Sequence, residues 1–263
     1  MSGDLLGDLT GVHGGWAAIG FAFMLVLART AAATVLLPGI GEAAAPSIVR
    51  AGFALAISVL VFPSLTSKIS VPSEVGLDAA AALISEVTTG LLFGWLARVW
   101  VQSLAVSAQF MAYFLGLSSV LQPDPELGPQ SAALAHLFDR AAPVLILASG
   151  LFTLPIRALV GSYTLIPAGK FLSAAVMAEA SLTTIVGAFE LALQLASPFL
   201  VASVVWHVAL GLLARLVPKL QIYAVSLPGQ VLGGLFFLSL SVSVIIGAWF
   251  RGIQAGLGPS LAW

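Results

Sequence analysis

The sequence predicts an all-α, integral membrane-type fold of about six long apolar helices packed as hairpins. Three observations carry this. First, 60% of its 263 residues are hydrophobic and 8% are charged, where a soluble domain carries about 25% charged residues. The mean hydropathy of +1.09 agrees. Second, the few charges leave uncharged runs at 14–28, 51–67, 99–123, 141–156, 191–214 and 220–250. Each is long enough, or nearly so, to cross about 30 Å of hydrocarbon as a helix. Third, the polar–apolar alternation of a membrane barrel is absent.

Taken in order, the first run follows Asp4 and Asp8, with no basic residue before Arg29. That is the reverse of a secretory leader, so Gly14 to Ala28 reads as a retained first helix. The acidic start favours an outside N-terminus. Pro38 and Pro46 separate it from the second run, which Pro63 and Pro72 close. A third helical pattern, Glu74 to Leu115, would be about 60 Å long. It carries Glu86 and Arg98, so it either breaks near Gly90 or Gly94 or packs on protein rather than lipid. Residues 117–130 gather Pro123, Asp124, Pro125, Glu126, Gly128 and Pro129, the composition of a loop. This loop divides a single domain, 1–263, into N-terminal hairpins (1–116) and C-terminal hairpins (131–263). The latter include Glu179 to Leu216, with Glu190 and Pro198 inside it. Proline there removes a backbone hydrogen bond and kinks the helix. Lys68, Arg98, Arg140, Arg157, Lys170, Lys219 and Arg251 are spread too evenly for loop charge to fix an orientation.

A net charge of −1 leaves no basis for nucleic-acid binding by phosphate neutralisation. With no cysteine and with His13, His136 and His207 scattered, no metal or cofactor site is expected. Nor is an enzyme: Gly116-Leu117-Ser118-Ser119 falls short of an intramembrane serine-protease motif, and neither His-Glu-x-x-His nor a phosphate loop occurs. Glu86, Glu179 and Glu190 sit near or in apolar runs, as proton-relay acids do; interhelical or interface contacts are the plainer reading. Glu190 and Gln194 are spaced to pair on one helix face. Gly90/Gly94, Gly229/Gly233 and Gly252/Gly256 have the small-xxx-small spacing of close helix contacts. Trp16, Trp95, Trp100 and Trp249 flank apolar runs, as interfacial belts or subunit contacts would.

Four segments add a resemblance. Residues 208–228, VALGLLARLVPKLQIYAVSLP, carry Gly211, Leu212, Leu213, Arg215, Pro218, Leu220 and Pro228. Residues 115–125 read LGLSSVLQPDP. Arg29, Pro38, Pro46, Arg50, Gly52 and Pro63 form the third, and Thr164-Leu165-Ile166-Pro167-Ala168-Gly169 the fourth. In order and spacing they resemble the FliR/SctT family, export-gate proteins of type III secretion systems. Two positions depart from it: Ala108-Gln109 and Phe114 stand where the family often has Gly-Glu and Gln, and Leu151 where a His is common.

The resemblance implies a hetero-oligomeric gate in the bacterial inner membrane, at the flagellar basal body. FliP and FliQ would be its sister subunits, FlhB would wrap its entrance and FlhA would lie beneath. Unfolded flagellar proteins would pass through. It also implies a pore plug at Leu117, Ser118, Ser119, Val120 and Leu121, and an entrance bend at Arg215 and Pro218. A protein wall would let Glu86, Arg98 and Glu190 pair across subunits, with membrane lipid covering the rest. The alternatives are an injectisome subunit of the SctT type, or a small secondary transporter using Glu86 or Glu190.

Overall fold

The computed structural model describes residues 15–42, 45–66, 69, 76–117, 133–216 and 222–261. Among them every regular element is helical. The helices are α1 (Gly15–Leu36), α2 (Ser47–Leu65), α3 (Leu77–Phe114), α4 (Ala133–Ser149), α5 (Thr153–Leu165), α6 (Ala174–Leu216) and α7 (Ile222–Leu261). Five of them, α1, α2, α3, α6 and α7, are long and apolar enough to cross a membrane, or six spans if α4 and α5 count as one. The all-α, multi-pass reading of the sequence is borne out.

Contacts group the chain into two units. The first takes Met1–Trp100, Pro143–Ile185 and Ala255–Trp263; the second takes Val101–Ala142 and Val186–Gln254. In the first, α1 packs along α2. The buried face of α1 repeats at Ala22, Leu25, Val26, Arg29, Thr30 and Ala33, the three-and-four spacing of one helix face. Thr30 and Ser58 join α1 to α2 through their hydroxyls at 2.5 Å. Both hydroxyls also reach carbonyls of their own helices, at Val26 and Ala54, so neither enters the apolar seam unsatisfied.

The third helix does not break at its glycines. α3 runs unbroken for 38 residues, and Gly90 and Gly94 instead admit the backbone of α1. A Cβ on Gly90 would meet the carbonyl oxygen of Arg29, and one on Gly94 would lie 2.5 Å from that of Ala33. The expected close-contact spacing is therefore realised here, and the two helices touch backbone to backbone. Gly90→Ala should destabilise the chain by about 1–3 kcal/mol, because α1 has to move away. Gly20→Ala is the control, since open space surrounds Gly20. Thermal unfolding in detergent reads both, and equal midpoints would remove Gly90 from the seam.

A break does occur where the sequence suggested an uninterrupted run, at 141–156. α4 ends at Ser149 and α5 starts at Thr153, bent by 74° from it. Gly150 sits between them at φ 76°, a left-handed conformation that costs glycine no Cβ clash. Its N–H donates to the Leu147 carbonyl and its own carbonyl accepts from Thr153, so the backbone groups at the corner stay paired.

Two tryptophans depart from the belt expectation. Trp100 and Trp249 are buried. In the second unit the Trp249 indole N–H donates to Ser103 Oγ at 3.2 Å. Trp16, by contrast, is 73% exposed. α6 and α7 are sparsely covered: 6% and 11% of their most apolar stretches are buried, against 44% for α1 and for α3.

Candidate functional site: a buried ion pair joining three helices

A polar cluster lies buried in the first unit. Arg29, on α1, and Glu86, on α3, are both fully buried. Arg29 Nε donates to Glu86 Oε2 at 2.7 Å and Nη2 to Oε1 at 3.0 Å. This is the two-pronged match of a planar guanidinium to a carboxylate, stronger than neutral hydrogen bonds. The remaining guanidinium nitrogen, Nη1, donates to Ser162 Oγ on α5 at 2.9 Å, and Nη2 also donates to the Ile166 carbonyl at 3.2 Å. The ring of Tyr163 lies 3.8 Å beneath the guanidinium carbon, a favourable place for a cation.

Glu86 is equally occupied. Its Oε1 also accepts the backbone N–H of Gly169 at 2.7 Å. The pair thus grips both sides of the turn that ends α5: the side chain of Ser162, the carbonyl of Ile166 and the amide of Gly169. Around it pack Leu25, Val26, Ala82 and Tyr163. Removing two charges from solvent is expensive, and they remain because every prong has a partner.

Glu86 and Arg98, expected to pair across subunits, each find a partner within the chain. Arg98 Nη2 meets Glu42 Oε2 at 3.3 Å, both partly exposed. The reason is geometric: the α1 backbone lies against Gly90, one turn beyond Glu86, and places Arg29 opposite. Glu190 is exposed, and its Oε1 accepts from Gln194 Nε2 at 3.2 Å, the same-face pair its spacing predicted. The Glu86 carboxylate accepts three hydrogen bonds, two of them from the Arg29 cation, so the cluster is built as a clamp that ties α1, α3 and the turn after α5 together. Among the described residues no three His, Asp or Glu side chains converge as metal ligands do.

The pattern of bacterial export proteins, family 1, matches residues 21–256. The flagellar biosynthetic protein FliR of Caulobacter vibrioides is 33% identical over 226 residues, covering 86% of this chain and 90% of that protein. The FliR proteins of Bacillus subtilis and Escherichia coli are 26% and 25% identical, over 85% and 83% of this chain and 87% and 83% of their own length. This chain belongs to the FliR family.

The FliR match runs from within α1 to near the end of α7, so it contains the whole clamp. It is a family of export proteins and not of enzymes. Of the positions carried over from the FliR/SctT resemblance, Leu117 is buried at the end of the α3 segment. Ser118, Ser119, Val120 and Leu121 lie outside the described residues, as does Pro218. Arg215 is exposed in the last turn of α6, where a cation complements the helix dipole. Reading the sequence missed Ser162, Tyr163 and Gly169 as one site, and missed that Arg29 answers Glu86. A signal was there: one lone cation and one lone anion in two neighbouring apolar helices call for each other.

Proposed function

We propose that this chain is a wall subunit of the flagellar protein-export gate in the bacterial inner membrane, at the flagellar basal body. It assembles with FliP and FliQ, adjoins FlhB and FlhA, and passes unfolded flagellar proteins without catalysing a reaction. The observation that carries this is likeness over 83–86% of the chain to three flagellar biosynthetic proteins. Those relatives favour the flagellar system over the injectisome. The internal pairing of Glu86 with Arg29 counts against a transporter that uses Glu86. The sparse cover on α6 and α7 suits a subunit whose apolar flanks meet sister subunits and lipid.

In this reading the whole chain is one domain, with 117–130 as the plug-like loop between its two sets of hairpins. Leu117, Ser118, Ser119, Val120 and Leu121 help to seal the resting channel by excluding water. Arg215 and Pro218 form the bend that faces FlhB, and Glu190 lies on a subunit face. Purification in mild detergent through a tag on this chain tests the assembly. FliP and FliQ should come out with it in one large complex. A monomer or a small symmetric oligomer would refute the gate reading. Deleting 118–122 should raise ion leak across the membrane, and an unchanged leak would remove the plug assignment.

A further inference from the structure

Next to the clamp the first unit has a cavity of about 180 Å³. It lies between Phe93 and Leu96 of α3, Ile166 after the end of α5, Leu172 before α6, and Val176 and Ala180 in the first turns of α6. Every residue on its wall is aliphatic or aromatic. Phe93, Leu96, Ile166 and Ala180 are buried, so the cavity is set into the unit rather than on its outer face. Water finds no hydrogen-bond partner on such walls. An apolar cavity of about 150 Å³ stays dry and takes up apolar guests. Without a guest the lining forfeits dispersion contacts.

The turn beside the cavity carries a charge. Lys170 lies between the two lining residues Ile166 and Leu172, and its backbone N–H donates to the Pro167 carbonyl at 3.2 Å. Its side chain is exposed and makes no ion pair with a described residue. The next residue, Phe171, is 59% exposed. A cation on a long flexible stem beside exposed apolar surface suits the level where lipid phosphates lie. A side chain from a sister subunit would satisfy the wall of the cavity and leave Lys170 without an anion. A phospholipid satisfies both.

We propose that this cavity seats one acyl chain of a phospholipid whose phosphate is held by Lys170. Ile166 couples the seat to the clamp, because it lines the cavity and its carbonyl accepts from Arg29 at 3.2 Å. A seated acyl chain therefore braces the turn that the clamp grips. The site depends on the membrane reading of the chain and stands apart from the export reading.

The full chain is purified in mild detergent with the subunits that accompany it and washed free of lipid. Dioleoyl phosphatidylglycerol is then titrated in while thermal unfolding is followed. A ligand held only by the folded state raises the midpoint. The wild-type chain should gain several degrees and saturate. Ala180→Leu, which fills the cavity from its wall, should gain little. Val176→Phe fills it from a half-buried position and keeps the test open if Ala180→Leu fails to fold. Lys170→Glu should need several-fold more lipid for the same gain. Equal gains in the wild type and the filled variants would mean general solvation by lipid and would overturn the site. No gain in the wild type would leave the cavity to a neighbouring subunit and would overturn it as well. An unchanged lipid requirement in Lys170→Glu would overturn the phosphate contact.

Discussion

Glu86→Ala should destabilise the folded chain by about 3–5 kcal/mol, since it strands a buried guanidinium. Arg29→Ala should cost a similar amount by stranding the carboxylate. The informative variant is the double replacement Arg29→Met with Glu86→Leu, which removes both charges and keeps most of the volume. It should cost far less than the sum of the two single changes, because no charge is left unpaired. Thermal unfolding of the detergent-solubilised chain gives all three values. Additive losses would mean that the two side chains act separately, and the clamp would be wrong. Losing either side chain should also free the turn after α5, so protease nicking near residues 166–170 should accelerate in the single variants and at least as much in the double, which keeps neither grip on Ser162, Ile166 and Gly169.

Trp249→Ala should cost about 3–5 kcal/mol in the same assay, from the cavity that the indole leaves. Its side chain is fully buried, beside Phe250 at 5.3 Å between ring centroids. Lipid tails are as apolar as the residues around it, so the loss comes from packing rather than from exclusion of water. Trp249→Phe keeps one six-membered ring and gives up the bond to Ser103 together with the rest of the indole. Its loss should fall below that of the Ala variant, at about 1–3 kcal/mol, from one hydrogen bond and a smaller cavity. A Phe variant as unstable as the Ala variant would place the weight on the N–H instead.

The number and kind of the helices could be read from the spacing of charges. Which faces pack could not. In a soluble helix the buried face is the apolar one, but here every face is apolar. The seam of α3 is marked instead by Ser85, Glu86, Thr89, Gly90 and Gly94, small or polar residues that allow close approach or bond across it. Read in that light, Gly90/Gly94 pointed to the contact with α1, and Gly252/Gly256 to the places where Leu191 and Trp100 come close. Gly229/Gly233 pointed one residue wide of its target, because the tight contact there, with Leu115, is at Gly234. The break at Gly150 was hidden, since a glycine in an uncharged run looks the same whether it continues a helix or turns it. Of the candidate site, Glu86 was visible as an isolated acid. Its surroundings were not, because Ser162, Ile166 and Gly169 lie far along the chain and two of the three contribute backbone atoms.

The bend between α4 and α5 bears on how the chain is made. With 17 and 13 residues, the two helices measure about 25 and 20 Å at 1.5 Å per residue, and neither alone matches a hydrocarbon layer of about 30 Å. A ribosome delivers segments in order, and a segment that is too short and turned sharply has no stable resting place in lipid by itself. α1 and α3 precede α5 in the chain, so Arg29 and Glu86 are synthesised before Ser162, Ile166 and Gly169. The two charges of the clamp are thus available to the turn after α5 from the moment it is made. An early defect in the clamp would show as failed insertion of the middle of the chain, before any question of transport arises.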